Sequence, residues 1–237
     1  MNKKAALITG AARRIGRQLA RHLAKNGYNI ALHYNNAAAQ AKEIQNEIES
    51  TGGKCTLFAC DFSNISKVRK LMDSVKKEFH YISLLINNAS VFIRGTLIQT
   101  DLTLLNKTID INFKAPFILA RDYARMFDSG HIINILDTCI QKNKSNYFIY
   151  NLTKKNLADF TLMAAAELGP NIKVNGIAPG FILPPITGDD FSAEKKILKL
   201  PLQKQGNVSD ITQAIDFLLQ SEFITGQIIY TDGGEHL

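Results

Sequence analysis

Short apolar runs rich in β-branched residues alternate along this chain with longer stretches whose apolar positions recur every three or four residues. The runs at Ala5 to Ile8, Asn29 to His33, Cys55 to Ala59, Ile82 to Ile86, Ile132 to Leu136, Lys173 to Ile177 and Gln227 to Tyr230 read as strands. Most of the stretches between them read as helices. In the first, Ile15, Leu19 and Leu23 share a side, Arg14, Arg17, Arg21 and Lys25 line another, and Gly27 is placed to end it. In the last, Ser209 is the expected cap, and Ile211, Ala214, Ile215, Leu218 and Leu219 make the buried stripe. Strands alternating with helices predict an α/β fold, a doubly wound parallel sheet with helices on both faces that binds ligands beyond the carboxyl ends of its strands. The least regular part, Pro179 to Leu200, holds Pro184, Pro185, Gly188 and the polar string GDDFSAEKK. It reads as a lid or substrate loop after the sixth strand.

With 237 residues and 46% hydrophobic content the chain can bury a large core, and residues 1–237 read as one domain with no repeat, low-complexity tract or linker. Lys3 and Lys4 are followed by only four apolar residues before Thr9, too few for a signal-peptide core, and no run approaches the ~18 residues that cross a bilayer. A cytoplasmic protein without a membrane partner is expected. Cys55, Cys60 and Cys139 form no CxxC pair or zinc spacing and the five histidines are dispersed, so the cysteines read as buried thiols and no metal is expected.

Charge changes the picture. Residues 1–42 contain no Asp or Glu but eight Lys or Arg, so the +7 excess of the whole chain comes from its first sixth. Such focusing implies a polyanionic ligand near the first two strands. Thr9 to Gly16 (TGAARRIG) lies between the first strand and the first helix, where glycines let the backbone approach a pyrophosphate that meets free N–H groups. Arg13, Arg14 and Arg17 oppose the positive end of the helix dipole there, and a bound anion would reverse the sign. An ordinary glycine turn is the alternative, because the strict G-x-G-x-x-G spacing is absent. Some 20 positions past the glycines, where an NAD site carries an acid, stand His33, Tyr34 and Asn35. That substitution favours NADP(H), with Arg13 near the 2′-phosphate. Nucleic-acid binding is disfavoured, since the basic residues follow one helix and lack an aromatic stacking array.

Tyr150 and Lys154 are four apart in a helical stretch, and Asp137 precedes Tyr150 by thirteen residues at the end of a strand. On one helix face, the Lys154 ammonium can lower the cost of charge on the Tyr150 phenol, and a carboxylate at Asp137 would pull the phenol's pKa back up. A phenol kept protonated suits proton donation during a reduction. The competing readings are an exposed amphipathic pair for Tyr150 and Lys154, a solvent-facing acid for Asp137, and a loop anchor for Phe92.

Taken together these residues resemble the short-chain dehydrogenases/reductases over essentially the whole chain. Thr9 to Gly16 is similar to the family's TGxxx(G/R)xG loop, Asp61 in CDFS to its adenine-holding acid, and Asn87, Asn88 and Ala89 to its NNA motif. Asn112 matches the helix asparagine of the catalytic tetrad, Tyr150 and Lys154 the YxxxK pair, Asn175 to Gly180 the turn beside the nicotinamide, and TDGG at 231–234 the C-terminal signature. The resemblance implies a Rossmann-type domain that binds NADP(H) through Thr9, Gly10, Arg13, Arg14, Ile15, Gly16, His33, Tyr34, Asn35, Asp61, Phe62, Asn87, Ala89, Ser90, Lys154, Pro179 and Gly180. It also implies that Lys154 reaches the nicotinamide ribose, that Asn112 holds a proton-relay water, and that the assembly is a homotetramer.

Four departures point to a branch: Asp137 where most members have Ser, Arg14 in place of a loop glycine, Ser90 after NNA, and Phe92 two residues later. Together with LHYNN at 32–36 and YFIYNLTK at 147–154 they resemble the pteridine reductases. That implies hydride transfer to a dihydropterin or folate, with Arg14, Ser90, Phe92, Asp137 and Tyr150 at the substrate. In that branch the pterin stacks between the nicotinamide and the residue matching Phe92. The second strand lacks the further arginine some members carry, and Pro179 to Leu200 matches poorly. The other readings are a short-chain carbonyl reductase such as a 3-oxoacyl-(acyl-carrier-protein) reductase, and an NADP(H)-binding regulator without turnover.

Overall fold

The computed structural model describes residues 4–184 and 192–237. The elements follow in the order β1 (Ala5–Ile8), α1 (Arg14–Lys25), β2 (Asn29–Tyr34), α2 (Ala38–Ser50), β3 (Cys55–Ala59), α3 (Ile65–Glu78), β4 (Leu84–Asn87) and α4 (Leu102–Ile109). A π-helical turn (Asp110–Lys114) joins α4 to α5 (Ala115–Met126), and β5 (Gly130–Ile135) leads through a 3-10 turn (Thr138–Gln141) into α6 (Phe148–Leu168). Then come β6 (Ile172–Pro179), α7 (Ala193–Ile197), α8 (Val208–Gln220) and β7 (Ile228–Thr231).

All neighbouring strands pair in parallel in the order β3-β2-β1-β4-β5-β6-β7. Successive side chains of a strand face opposite sides of the sheet, so a sheet covered on both faces needs apolar residues at every position. β1 has that composition. Ala6 and Ile8 pack with Leu19, Leu23, Ile44 and Ile215 from α1, α2 and α8, while Ala5 and Leu7 pack with Val68, Met72 and Leu119 from α3 and α5. The chain runs outward in both directions from β1 and β4, which opens a crevice at their carboxyl ends.

All seven expected strands are present. β4 begins two residues later than expected and β5 two residues earlier, and β6 runs on to Pro179. The cap of α8 is Asn207 rather than Ser209. Asn207 accepts from the Ser209 amide, and Asp210 returns a bond to the Asn207 amide, the reciprocal box that a lone serine does not supply. Leu219 is only partly buried at the edge of that helix's stripe. Within Pro179 to Leu200, Ser192 caps α7 by accepting from the Lys195 amide. Pro185, Gly188 and the GDDF portion of that loop lie outside the described residues.

Candidate active site

The loop between β1 and α1 is shaped by what its glycines avoid. Gly10 has φ +64°, and a Cβ there would lie 2.9 Å from the Ala89 Cα. A Cβ on Gly16 would run into the Gly10 carbonyl and come within 2.6 Å of Asn88 Nδ2. The loop is braced from β4. Thr9 Oγ1 accepts from the amides of Asn88 and Ala89, both at 2.9 Å, and Asn88 Nδ2 donates to the carbonyls of Thr9 at 2.8 Å and Gly10 at 3.3 Å. Beside this loop lies a cavity of about 370 Å³ whose walls include Gly10, Arg13, Ile15, Tyr34, Asn35 and Phe62. The α1 N-terminus beside it carries no acidic residue and no side-chain cap, so its first amides remain donors for an anion. The residues present therefore fit the diphosphate of a dinucleotide.

The arginines divide differently from the expectation. Arg17 pairs with Glu43 at 3.4 Å and Glu47 at 3.9 Å, and Arg21 pairs with Glu47 at 2.6 Å, so both are engaged by α2. Arg13 and Arg14 remain at the loop. Arg13 donates to Gln40 at 3.2 Å, at the start of α2, with no carboxylate on Tyr34, Asn35 or Asn36 beside it. Arg14 has φ +51°, a conformation that favours glycine, and its guanidinium donates to the carbonyls of Pro184 at 2.9 Å and Leu183 at 3.5 Å. It thereby ties the phosphate loop to the segment after β6.

The reactive side chains stand at the carboxyl ends of β5 and β4. Asp137 follows β5, and its Oδ1 accepts from the Cys139 amide at 2.8 Å, which starts the 3-10 turn. Its other oxygen accepts from Tyr150 Oη at 2.7 Å. Burial pushes the Tyr150 phenol well above its ordinary pKa, and the Asp137 charge adds to that push. Lys154 is buried, and its Nζ donates to the Ile135 carbonyl at 2.7 Å while standing 5.7 Å from the centre of the Tyr150 ring. Desolvation lowers the Lys154 pKa against the opposing pull of Asp137. The expected ammonium-to-phenol pairing is thus replaced by ammonium to carbonyl, with Asp137 as the phenol's partner.

Phe92 is 52% exposed, stacks on Tyr147 with ring centres 4.0 Å apart, and lies perpendicular to the Tyr150 ring with centres 4.7 Å apart. Two contacts fix this arrangement. Gly95 pairs with the 146–148 segment through the Gly95 amide to Asn146 O and the Phe148 amide to Gly95 O, both at 2.8 Å. Asn112, in the π-helical turn, accepts from the Val91 amide at 2.8 Å and donates to the Val91 carbonyl at 3.0 Å and to Thr153 at 3.3 Å. Its side chain is therefore committed to holding the Ser90–Phe92 loop.

Asp137, Tyr150 and Phe92 come together past the carboxyl end of β5, while Arg14, Ile15, Gly16, Ala89 and Ser90 line the cavity with the residues named above. Thr9 and Asn87 do not line the cavity. Thr9 is a buried brace, and Asn87 turns into the core to donate to Asn134 at 2.8 Å. Asp61, whose carboxyl is held below the usual range by hydrogen bonds from Ser63, lies two residues past β3, while Pro179 ends β6 and Gly180 follows it, beyond the cavity wall. His33 lines the cavity but keeps both ring nitrogens for the protein. Asn88 and Tyr147 are functional neighbours absent from the sequence-based site. Alternation along β4 puts Asn88 opposite Asn87 and is readable in the sequence, whereas the contact of Tyr147 with Phe92 is not.

Among the described residues no group of three or more His, Cys, Asp or Glu could hold a metal, and no helix is long and apolar enough to cross a membrane. Residues 10–236 match a family model described as enoyl-(acyl carrier protein) reductase. The chain is 31% identical over 242 residues to the 3-oxoacyl-(acyl-carrier-protein) reductase FabG of Staphylococcus aureus (strain Mu50), covering 99% of this chain and 98% of the relative. Among solved structures it resembles FolM alternative dihydrofolate reductase 1 from Brucella suis in complex with NADP. That likeness has TM-score 0.93 and 33% identity over 98% of this chain and 95% of the other. It also resembles a short-chain dehydrogenase/reductase from Serratia marcescens BCRC 10948, with TM-score 0.91 and 26% identity over 99% and 98% of the two chains.

Proposed function

This chain belongs to the short-chain dehydrogenase/reductase family, and from that premise we propose that it is an NADPH-dependent reductase of a dihydropterin or dihydrofolate. The observation that carries the reading is the Tyr150–Asp137 hydrogen bond at 2.7 Å with the Phe92 ring packed perpendicular to the same phenol, ring centres 4.7 Å apart. NADP(H) is the cofactor, in keeping with the complexes of the structural neighbours, and it supplies the hydride when bound.

The chain's own residues do the rest. A flat heteroaromatic ring is placed on the side of Phe92 away from Tyr147, where stacking on this half-exposed ring orients it without consuming polar groups. When hydride reaches the carbon of a ring C=N bond, the nitrogen takes the proton of Tyr150, and solvent returns one to the phenol. A carboxylate at 2.7 Å keeps the phenol protonated until that moment. Lys154, anchored on the Ile135 carbonyl, places a positive charge beneath the phenol ring as the proton leaves. The first amides of α1 and Arg13 hold the phosphates, and Arg13 with the acid-free Tyr34–Asn36 stretch selects the 2′-phosphate. A homotetramer is part of the proposal, supported by apolar side chains left exposed on α5 and α6, Phe117 at 43% and Met163 at 72%.

The second reading is a 3-oxoacyl-(acyl-carrier-protein) reductase, favoured by the similarity to FabG. The test is Asp137→Ser. On the pteridine reading it depresses dihydropterin reduction and admits a simple ketone, because a hydroxyl polarises a carbonyl oxygen. Unchanged pterin turnover in that variant, or efficient ketone reduction by the wild type, removes the support.

A further inference from the structure

Three loops meet at the carboxyl ends of β1, β2 and β3, and one buried side chain joins them. His33, 2% exposed, accepts the Gly10 amide on Nδ1 at 3.1 Å, and its main-chain carbonyl accepts the Ala11 amide at 2.9 Å. Its Nε2 lies 2.9 Å from the Cys60 carbonyl. An amide only donates and a carbonyl only accepts, so these partners assign the tautomer: Nδ1 is bare and Nε2 carries the hydrogen. The ring lies parallel to Phe62, centroids 4.0 Å apart, and both rings line the cavity. Gly10 is thus gripped through the peptide groups on both sides of its Cα, its N–H donating to His33 and its C=O accepting from Asn88 at 3.3 Å.

We propose that His33 is a positioning residue for NADP(H): a neutral imidazole that fixes the glycine loop in its binding shape without giving the cofactor a polar atom. The grip acts on the residue that needs it. Gly10 sits at φ +64° against Ala89, and the α1 amides beyond it meet the phosphates only while that turn is held. An imidazole suits the task because it presents an acceptor and a donor on one rigid ring that can also stack on Phe62. Burial keeps it neutral, with a pKa lowered to about 4. Protonation would set an N–H against the Gly10 N–H. The inference concerns the cofactor half of the site and stands whether or not the substrate is a pterin.

The test uses NADPH binding to the full chain, followed by the change in nicotinamide fluorescence, with no second substrate. His33→Phe keeps the ring and its stacking but removes both hydrogen bonds, and the NADPH Kd rises by about tenfold or more. His33→Asn places an amide oxygen where Nδ1 stands and recovers most of that affinity. His33→Gln reaches toward Cys60 instead of Gly10 and recovers little. In the wild type, the ¹⁵N shifts of the His33 ring show a bare Nδ1 and a protonated Nε2 from about pH 8 down to about pH 5.5, with and without NADPH. A Phe variant that binds as tightly as wild type overturns the proposal. So does an equal loss in the Phe, Asn and Gln variants, and so does a ring that carries its hydrogen on Nδ1 or titrates near its ordinary pKa. If the Phe variant does not fold, the Asn–Gln difference and the ring shifts decide. A failed pterin assignment would leave all of these readouts unchanged.

Discussion

Asp137→Asn isolates the charge at the centre of the proposed mechanism. The side chain keeps its size, and its remaining oxygen can still accept the Cys139 amide, held at 2.8 Å in the wild type, so the 3-10 turn survives. What changes is the atom facing Tyr150. The carboxylate oxygen that accepts the phenol hydrogen at 2.7 Å becomes an amide nitrogen that donates. With Asp, the hydrogen bond requires the phenol to keep its proton; with Asn, it favours the phenolate. A hydrogen bond to a charged group contributes about 1.5–3 kcal/mol, and a pKa unit corresponds to about 1.4 kcal/mol. The Tyr150 pKa should therefore fall, while the larger effect of burial stays in place. Because the acid form is the active one for reduction, the loss of kcat at high pH should begin at lower pH in the variant than in the wild type. The assay is kcat against pH at saturating NADPH, with the far-ultraviolet spectrum checked at each pH. Superimposable alkaline limbs, or a limb displaced upward, would refute the claim that Asp137 keeps Tyr150 protonated.

Other perturbations probe separate parts of the site. Arg13→Ala should abolish a wild-type preference for NADPH over NADH of at least tenfold, about 1.4 kcal/mol, and equal kinetics with both nucleotides in the wild type would remove the basis for it. Phe92→Ala should weaken dihydropterin binding by about 1–3 kcal/mol and leave the NADPH Kd nearly unchanged, which calorimetric titration of each ligand can check. Acid should destabilise the fold. Burial lowers His33 to about 4 and His131 to about 3, so below their ordinary 6.5 the unfolded chain takes up protons that the native state refuses. Stability from both groups is full above pH 6.5 and should fall by roughly 2–3 kcal/mol each between pH 7 and 4.5, read from urea midpoints. A flat profile over that range would mean the two rings are not buried neutral.

The sheet was readable because each strand is built around a short apolar run, unbroken in β1, as parallel strands covered on both faces require. The positions of Tyr150, Asp137 and Lys154 were readable for the same reason, since strand ends and helix faces follow from spacing. Partners distant in sequence were not. Nothing near Arg17 announces Glu43 and Glu47, so its charge looked free for an anion although α2 engages it. Lys154 on a shared helix face suggested a phenol partner, but its buried stem carries the ammonium to the Ile135 carbonyl on β5. His33 sits at a strand end that faces the cavity, yet its polar atoms turn toward Gly10 and Cys60, whose loops are brought there only by the pairing of β2 with β3 and β1. The α8 cap was within reach, because Asp210 three residues after Asn207 spells the reciprocal box.

The central claim is that the ring beside Phe92 and Tyr150 is a pterin, and one comparison tests it most directly. Initial rates of NADPH consumption by the wild-type enzyme are measured side by side with dihydrobiopterin, dihydromonapterin, dihydrofolate and an acetoacetyl thioester, with Tyr150→Phe as the control for chemistry. The account predicts turnover with at least one dihydropterin or dihydrofolate at a kcat/KM well above that for the thioester. It also predicts a fall of about 10² or more in Tyr150→Phe, the usual scale of general acid catalysis, with NADPH binding retained. Rapid reduction of the thioester with no turnover of any dihydropterin or of dihydrofolate would contradict it.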